Sequence, residues 1–491
     1  MPLKIYKERR EKMYPILKNS RVRGAENDFF LHQFKEGKEF ALEKLHAEIL
    51  WYCNGENSVD WLSEKFSQLN DDLLAFFAVL EESGLLILNK EKGRKVEFPP
   101  LAVSPYLQDM QIEATGRCNL WCKHCYAKKE FRRATKKEMS RTEFFEVFDQ
   151  MYQLNVAKCF ISGGESFLRK DLPELIAYLA HKCIGISGIF TNGTIYRQDV
   201  VDALKEAGSN TTFLVSLDGP DAQINDFVRG EGNFRRTISF IEKVKEQGFH
   251  VTVNTVAMKQ NVKQLPEICH LLETLGVNRW RVSIPREQGE TIVNKKLIVP
   301  EWQDIFIAYE ELLRYALRRA SSMRLQLSSI FKTEFLETKT YYLYREDTAC
   351  CEYKRSSLVL TSDGNLIACP ASVNFVFGNV KEKSLREIWY SDLAQSFKTL
   401  PVSKTECRDC DIKNYCGGGC RIIAWKLRKN ILAKDENACP LYRFFFNTVK
   451  PIFEKEGICG EKLEQPNPYG FDPTILQKFT EKKSQRRSHY G

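Results

Sequence analysis

The sequence predicts an α/β protein: a partial, TIM-like (β/α)6 barrel, a small winged helix-turn-helix domain before it and a cysteine-rich domain after it. Three observations predict this. Residues 107–310 alternate extended and helical apolar patterns six times, residues 28–88 give a strand, three helices and a strand, and eight of the 16 cysteines crowd into residues 350–439.

The chain has 491 residues, room for about three domains. Hydrophobic residues make up 43% and charged residues 28%, the balance of a globular protein. No apolar run is long enough to span a bilayer, and the basic start, Met1 to Arg10, has no apolar stretch after it. A cytoplasmic chain with no membrane contact is expected. In a reducing compartment so many cysteines imply metal or redox chemistry rather than disulfides. The net charge of +9 fits nucleic acid or an acidic peptide partner, and cluster thiolates would cancel part of it.

Residues 1–98 form the first predicted domain. Its opening is basic, with Arg21 and Arg23 among eight cations. A strand follows near Phe29 to Phe34. Leu42, Leu45, Ile49 and Leu50 then recur at helical spacing, ended by Gly55. Ser58 caps a second helix, Asp71 or Asp72 opens a third, Gly84 closes it, and Leu85–Leu88 is extended. Residues 99–106 read as a proline-bearing linker.

In residues 107–310, Ser140 and Glu143 make a capping box before a helix carrying Phe144, Val147, Phe148 and Met151. Strands near 157–162, 188–191, 212–216, 251–256 and 279–284 alternate with helices near 171–181, 199–207, 234–247 and 265–275. Such alternation implies a parallel sheet with its chemistry at the carboxyl strand ends. At those ends lie Gly163-Gly164-Glu165, Asn192, Ser216 and Arg229, with Asn254 on the fifth strand a weaker candidate. Residues 311–347 are expected to be a helical bridge, 348–450 the cysteine-rich domain and 451–491 a polar tail.

Cys118, Cys122 and Cys125 sit at C-x3-C-x2-C spacing, with Tyr126 directly after. Three thiolates close in sequence converge at little loop-closure cost. On a [4Fe–4S] cube they leave one iron open to a small molecule. A zinc knuckle would instead favour C-x2-C pairs and four ligands. The loop resembles that of radical S-adenosylmethionine (SAM) enzymes, which carry an aromatic residue where Tyr126 stands. That resemblance implies that Tyr126, Gly163, Gly164, Glu165, Asn192, Ser216 and Arg229 contact SAM. Glu165 would meet its ammonium group and Arg229 its carboxylate.

The second series runs Cys350-Cys351, Gly364-x4-Cys369, Cys407-x2-Cys410-x5-Cys416-x3-Cys420 and Cys439. It resembles the SPASM extension of radical SAM maturases. The resemblance implies two auxiliary [4Fe–4S] clusters, three in all. Cys407, Cys410, Cys416 and Cys439 would hold one; Cys369 and Cys420 the other, with Cys351, Cys350 or both. Sulfatase maturases carry an aspartate base after the cysteine matching Cys369. Pro370 stands there, which argues against that role.

The first domain resembles the RiPP recognition element, which binds the leader of a ribosomally made precursor peptide along a sheet edge. The combined expectation is a radical SAM peptide maturase that forms thioether or carbon–carbon crosslinks. Its partners would be the precursor and an electron donor such as flavodoxin or ferredoxin, without nucleic acid. Alternatives are a maturase of a protein-derived or small-molecule cofactor, and an iron–sulfur or zinc helix-turn-helix regulator. SAM cleavage separates the enzymes from the regulator, whose mark would be salt-sensitive DNA affinity.

Overall fold

The computed structural model describes residues 13–25, 28–33, 38–69, 71–92, 105–127, 138–208, 210–318, 321–345, 350, 356–372 and 375–462. Cys351, most of the 99–106 linker and the tail from residue 463 lie outside the described residues.

At the N-terminal side, β1 (Tyr14–Leu17) pairs antiparallel with β5 (Leu86–Asn89). Between them lie β2 (Ser20–Ala25), β3 (Asp28–Gln33) and β4 (Lys38–Leu42), an antiparallel sheet in the order β2-β3-β4. Helices Lys44–Trp51, Val59–Lys65 and Asp71–Glu82 follow. Ser58 Oγ accepts from Trp61 N–H, the expected cap. The sequence predicts one strand before the helices; β1, β2 and β4 are additional. β2 and β4 were hidden because charged residues sit among their apolar ones, and β1 because it is a four-residue strand containing Pro15.

That alternation has a structural cause. On β2, Val22 enters the core formed with the helices, while Arg21 and Arg23 point the other way. Both arginines are nevertheless buried. Arg21 donates to the Val156 carbonyl and lies over the Tyr152 ring; Arg23 lies over Tyr106. Part of the basic opening is therefore contact with the neighbouring domain, not a solvated face.

Among the described residues the main sheet has eleven strands. β6 (Asp109–Thr115), β7 (Lys158–Gly163), β8 (Gly185–Thr191), β9 (Thr212–Ser216), β10 (His250–Val256) and β11 (Arg279–Ser283) run parallel in sequential order. They are the six expected strands, with helices between them as predicted. The capping box at Ser140 and Glu143 is present.

Two extensions depart from expectation. The supposed helical bridge contains β12 (Arg324–Leu327), which continues the parallel order beside β11, then β13 (Phe331–Lys332) and β14 (Thr340–Leu343). On the other edge, β15 (Ser357–Leu360) pairs parallel with β6, and β16 (Asn365–Ile367) and β17 (Val376–Asn379) add antiparallel. All four β15 residues are buried, the mark of a strand covered on both faces. The cysteine-rich segment is thus built into the same sheet. The predicted tail is also ordered at its start: β18 (Cys459–Lys462) pairs parallel with β14.

One sheet face carries Met110, Ile112, Cys159, Ile161, Phe213, Val215, Val251, Val253, Trp280 and Val282 into the main core under the helices. The opposite face, by strand periodicity, carries Gln111, Glu113, Ser162, Ser216, Asn254 and Arg281. A polar inner face in a buried sheet marks a site rather than a core.

Trp389 is wholly buried and donates its indole N–H to the Pro105 carbonyl at 2.7 Å, joining the cysteine-rich segment to the entry of β6. Trp389→Ala is expected to cost about 3–5 kcal/mol, measured by urea unfolding. Trp389→Phe should cost less, chiefly the stranded carbonyl.

Candidate active site

The cysteine loop leaves β6 at its carboxyl end and is held from several sides. Gly164 N–H donates to Thr115 O (2.9 Å) and Glu165 N–H to Arg117 O (2.7 Å), so the Gly-Gly-Glu loop lies against the cysteine loop, backbone to backbone. A Cβ on Gly163 would sit 2.3 Å from Thr115 O, and one on Gly164 2.3 Å from Arg117 O. These glycines are required by that abutment.

Glu165 has no solvent exposure. Its carboxylate accepts from Phe167 N–H (3.2 Å), Thr191 Oγ1 (2.9 Å) and Asn192 N–H (2.7 Å). Burial pushes it up to about 7 against those hydrogen bonds. It ties the ends of β7 and β8 together. Three protein donors meet the carboxylate that the resemblance assigns to an ammonium group.

Asn192 belongs to a related lock. Its Nδ2 donates to Asn119 Oδ1, inside the cysteine loop, and its Oδ1 accepts from Thr194 N–H and Oγ1. Asn119 Nδ2 returns a bond to Thr194 Oγ1 at 2.9 Å. Ser216 ends β9 beside Asn254 of β10 and is half-buried.

Arg229 meets Asp218, of the Ser216–Pro220 stretch, rather than open space: Nε lies 2.7 Å from Asp218 Oδ2, and both side chains are buried. His124, between Cys122 and Cys125, lies 3.4 Å from the same oxygen. Burial holds His124 down to about 4, so near neutral pH the ring is uncharged and Arg229 is the cation that balances Asp218. Removing either member of this pair would strand a buried charge. Two segments about a hundred residues apart thereby clamp the floor of the cysteine loop. From the far side, Glu290 N–H donates to Cys125 O, Thr291 Oγ1 to His124 O and Asn294 Nδ2 to Lys123 O.

Cys118 is an exposed residue, but desolvation of its sulfur by the surrounding loop, with the charges of Cys122, Glu165 and Cys125, pushes its thiol up to about 12. Thiols so placed need a cation to ionise them. Among the described residues no three His, Cys, Asp or Glu side chains surround a single ion. A cubane binds each thiolate through a different iron, so its ligands stand further apart than those of one zinc. The three thiols, on an accessible loop held by backbone bonds, fit such a group. Tyr126 is half-buried and lies in the fields of Glu113, Arg286 and Cys369, so the loop's end faces the cysteine-rich segment.

There, Cys416-Gly417-Gly418-Gly419-Cys420 turns through three successive positive φ angles of 62°, 81° and 72°. Only glycine takes these without strain. Asp435 accepts from Cys420 N–H at 2.7 Å and lies where a Gly419 Cβ would clash. Arg421, fully buried, donates to the carbonyls of Gly418, Ile431 and Ala433. Cys416 feels Cys439 and Cys407, and Cys439 feels Cys407 and Cys410. Cys420 instead feels Cys369. Cys350 points at Gly418 and feels Cys407 rather than that pair. The residues present therefore fit two further clusters, with the place of Cys351 outside the described residues.

Sequence reasoning missed His124, Asp218, Asp435, Arg421 and Glu113. The run of three glycines was a signal for the turn. For Glu113 the signal was an acid between Ile112 and Ala114 in the middle of a strand.

Comparison with known proteins agrees with this geometry. The Radical SAM superfamily matches residues 112–272, and the SPASM iron–sulfur cluster-binding domain matches residues 350–411. The chain thus carries a radical SAM domain followed by a SPASM domain, and the groups such domains bind are SAM and iron–sulfur clusters. Among curated proteins it is similar to PqqA peptide cyclases. The one from Granulibacter bethesdensis is 27% identical over 334 residues, covering 67% of this chain and 86% of the relative. The one from Methylocella silvestris is 29% identical over 331 residues, covering 66% and 85%. Among solved structures, Streptococcus suis SuiB bound to precursor peptide SuiA superposes with a TM-score of 0.63 at 18% identity, covering 87% of this chain and 99% of SuiB. Native anSMEcpe with bound AdoMet gives 0.57 at 18% identity, covering 71% and 99%.

Glu113, 4% exposed on the inner face, is raised by burial and by Asp363 to about 8 from an ordinary 4.5. Between those values the folded chain holds a proton that the unfolded chain has lost. Stability attributable to this group is therefore full below about pH 4.5 and is lost as pH rises through about 8. Glu113→Gln should remove that dependence: its Tm should gain on the wild type between pH 6 and 9. Parallel Tm curves would refute the assignment.

Proposed function

We propose that this chain is a radical SAM peptide maturase that crosslinks a ribosomally made precursor. The carrying observation is the cysteine loop seated on the Gly-Gly-Glu loop, with its last residue turned toward the cysteines of a SPASM segment joined to the same sheet. The curated relatives are peptide cyclases, and SuiB is a fold neighbour described with its precursor bound; both favour a peptide substrate.

When bound, a cluster with an open iron supplies the one-electron cleavage of SAM that yields a 5′-deoxyadenosyl radical able to take hydrogen from an unactivated carbon. The chain's residues do the rest. Cys118, Cys122 and Cys125 are the ligands of that cluster. Carbonyls of the Gly163–Gly164 loop receive the SAM ammonium group, Ser216 and Asn254 line the inner face beside it, and Tyr126 closes the end toward the SPASM cysteines. Asp218, Arg229 and His124 fix the loop's floor, and Glu165 and Asn192 fix its walls. The pre-set geometry limits reorganisation when the radical forms.

Cys407, Cys410, Cys416 and Cys439 form one auxiliary ligand set, with Cys369 and Cys420 in the second. The finer domain reading is a partial barrel over residues 107–310, a SPASM domain over 348–450 and a winged, leader-binding domain over 1–98. In the last, β4 is an edge strand of its sheet, which suits strand addition by a leader.

Replacing Cys118, Cys122 and Cys125 by Ala should abolish 5′-deoxyadenosine formation from SAM under dithionite. Formation at the wild-type rate would overturn the reading. Deleting residues 1–98 should leave that uncoupled cleavage within about threefold of the wild type while weakening precursor binding at least about tenfold, read by fluorescence anisotropy of a labelled leader. Unchanged affinity would remove the leader-binding role.

A further inference from the structure

The proposed chemistry needs electrons one at a time, and they must enter where the cysteine loop reaches the surface. Five of the twelve exposed large apolar side chains among the described residues are Trp121, Phe227, Ile292, Val293 and Leu297. Trp121 lies in the cysteine loop. The others lie on the segments that hold it: Lys123 N–H donates to Val228 O, the Lys123 ammonium sits 4.5 Å from the Phe227 ring centroid, and Asn294 reaches Lys123 O. The apolar residues therefore share one face with the loop. Ile292 is 59% exposed, Val293 65% and Leu297 45%, on two short helices whose buried side carries Thr291 and Ile298. An apolar patch of this kind on an otherwise charged chain marks an interaction surface.

Its rim is cationic. Lys259 and Lys296 are exposed and adjacent, with Lys259 Nζ donating to the Lys296 carbonyl at 2.9 Å; Lys263 is exposed nearby in sequence. Lys295 is balanced by Glu287 at 2.8 Å. Of the nearby acids, Asp226 is occupied in accepting from Gly232 and Phe234 N–H groups. Glu290, on the same short helix, is the acid set against the remaining lysines. Apolar centre and basic rim together select an acidic protein.

We infer that this face, formed by Phe227, Ile292, Val293, Leu297, Lys259 and Lys296, docks a small acidic one-electron carrier protein. The inference rests on the radical SAM reading and names the partner of that site. In the docked pair the carrier is oxidised by one electron and the cluster held by Cys118, Cys122 and Cys125 is reduced by one; no bond forms or breaks at the surface. A precursor peptide is a poorer occupant, because the inner polar face and Tyr126 turn toward the SPASM segment.

The test compares two reductants on the reconstituted enzyme. Lys259→Glu/Lys296→Glu and Val293→Asp/Leu297→Asp are assayed for 5′-deoxyadenosine with dithionite and with a reduced flavodoxin. Binding of oxidised flavodoxin is measured separately by calorimetry. Dithionite rates should match the wild type, while the flavodoxin concentration for half-maximal rate and its Kd should rise at least about tenfold at low salt. Added salt should weaken wild-type binding and narrow the gap for the lysine variant. Unchanged flavodoxin dependence in both variants would overturn the inference, as would a wild-type dimer that the apolar variant dissociates. No 5′-deoxyadenosine with dithionite in the wild type would instead sink the radical SAM reading itself.

Discussion

The rest of the site depends on one close approach: the backbone of residues 163–165 lying on that of residues 115–117. Two hydrogen bonds make it, from Gly164 and Glu165, and two missing side chains permit it. Once the loops touch there, the Glu165 carboxylate can reach Thr191 and Asn192, and Asn192 can reach Asn119. Three strand ends and the cysteine loop then form one rigid assembly. A cluster ligand loop that wandered would misplace a radical with no means of correction.

The same principle recurs around the SPASM cysteines with different parts. The three-glycine turn separates Cys416, which lies in the fields of Cys407 and Cys439, from Cys420, which lies in that of Cys369. Asp435 and Arg421 then supply the polar contacts that the unusual backbone leaves unmet. In both places buried charged residues hold the backbone beside the thiols: Glu165 accepts from Phe167 and Asn192 N–H, Asp435 from Cys420 N–H, and Arg421 donates to the Gly418, Ile431 and Ala433 carbonyls.

The polar inner face gives the two centres a shared boundary. Tyr126 and Cys369 lie in one another's fields because β15 sits directly beside β6. Sheet continuity, more than any side-chain contact, sets the distance between the radical source and the auxiliary site. Glu113, on the strand joining the two, is a buried acid on their shared face. The carboxylate that sulfatase maturases place after the matching cysteine is replaced here by Pro370.

Local patterns settled much from the sequence alone. The cysteine spacings, the capping box at Ser140 and the six strands of residues 107–310 depend on neighbours within a few turns of chain, and each has the predicted type. What depends on distant partners was not legible. Arg21 and Arg23 showed in the sequence only as part of a basic opening, because their aromatic partners, Tyr152 and Tyr106, lie far along the chain. Arg229 looked ready for a ligand carboxylate, and only the tertiary structure turned it onto Asp218. β12 and β15 joined the main sheet because an edge strand must satisfy its hydrogen bonds somewhere, and spacing alone does not say where. Sequence determines which chemistry the thiols support; the fold decides which buried charges and which neighbouring strands hold them in place.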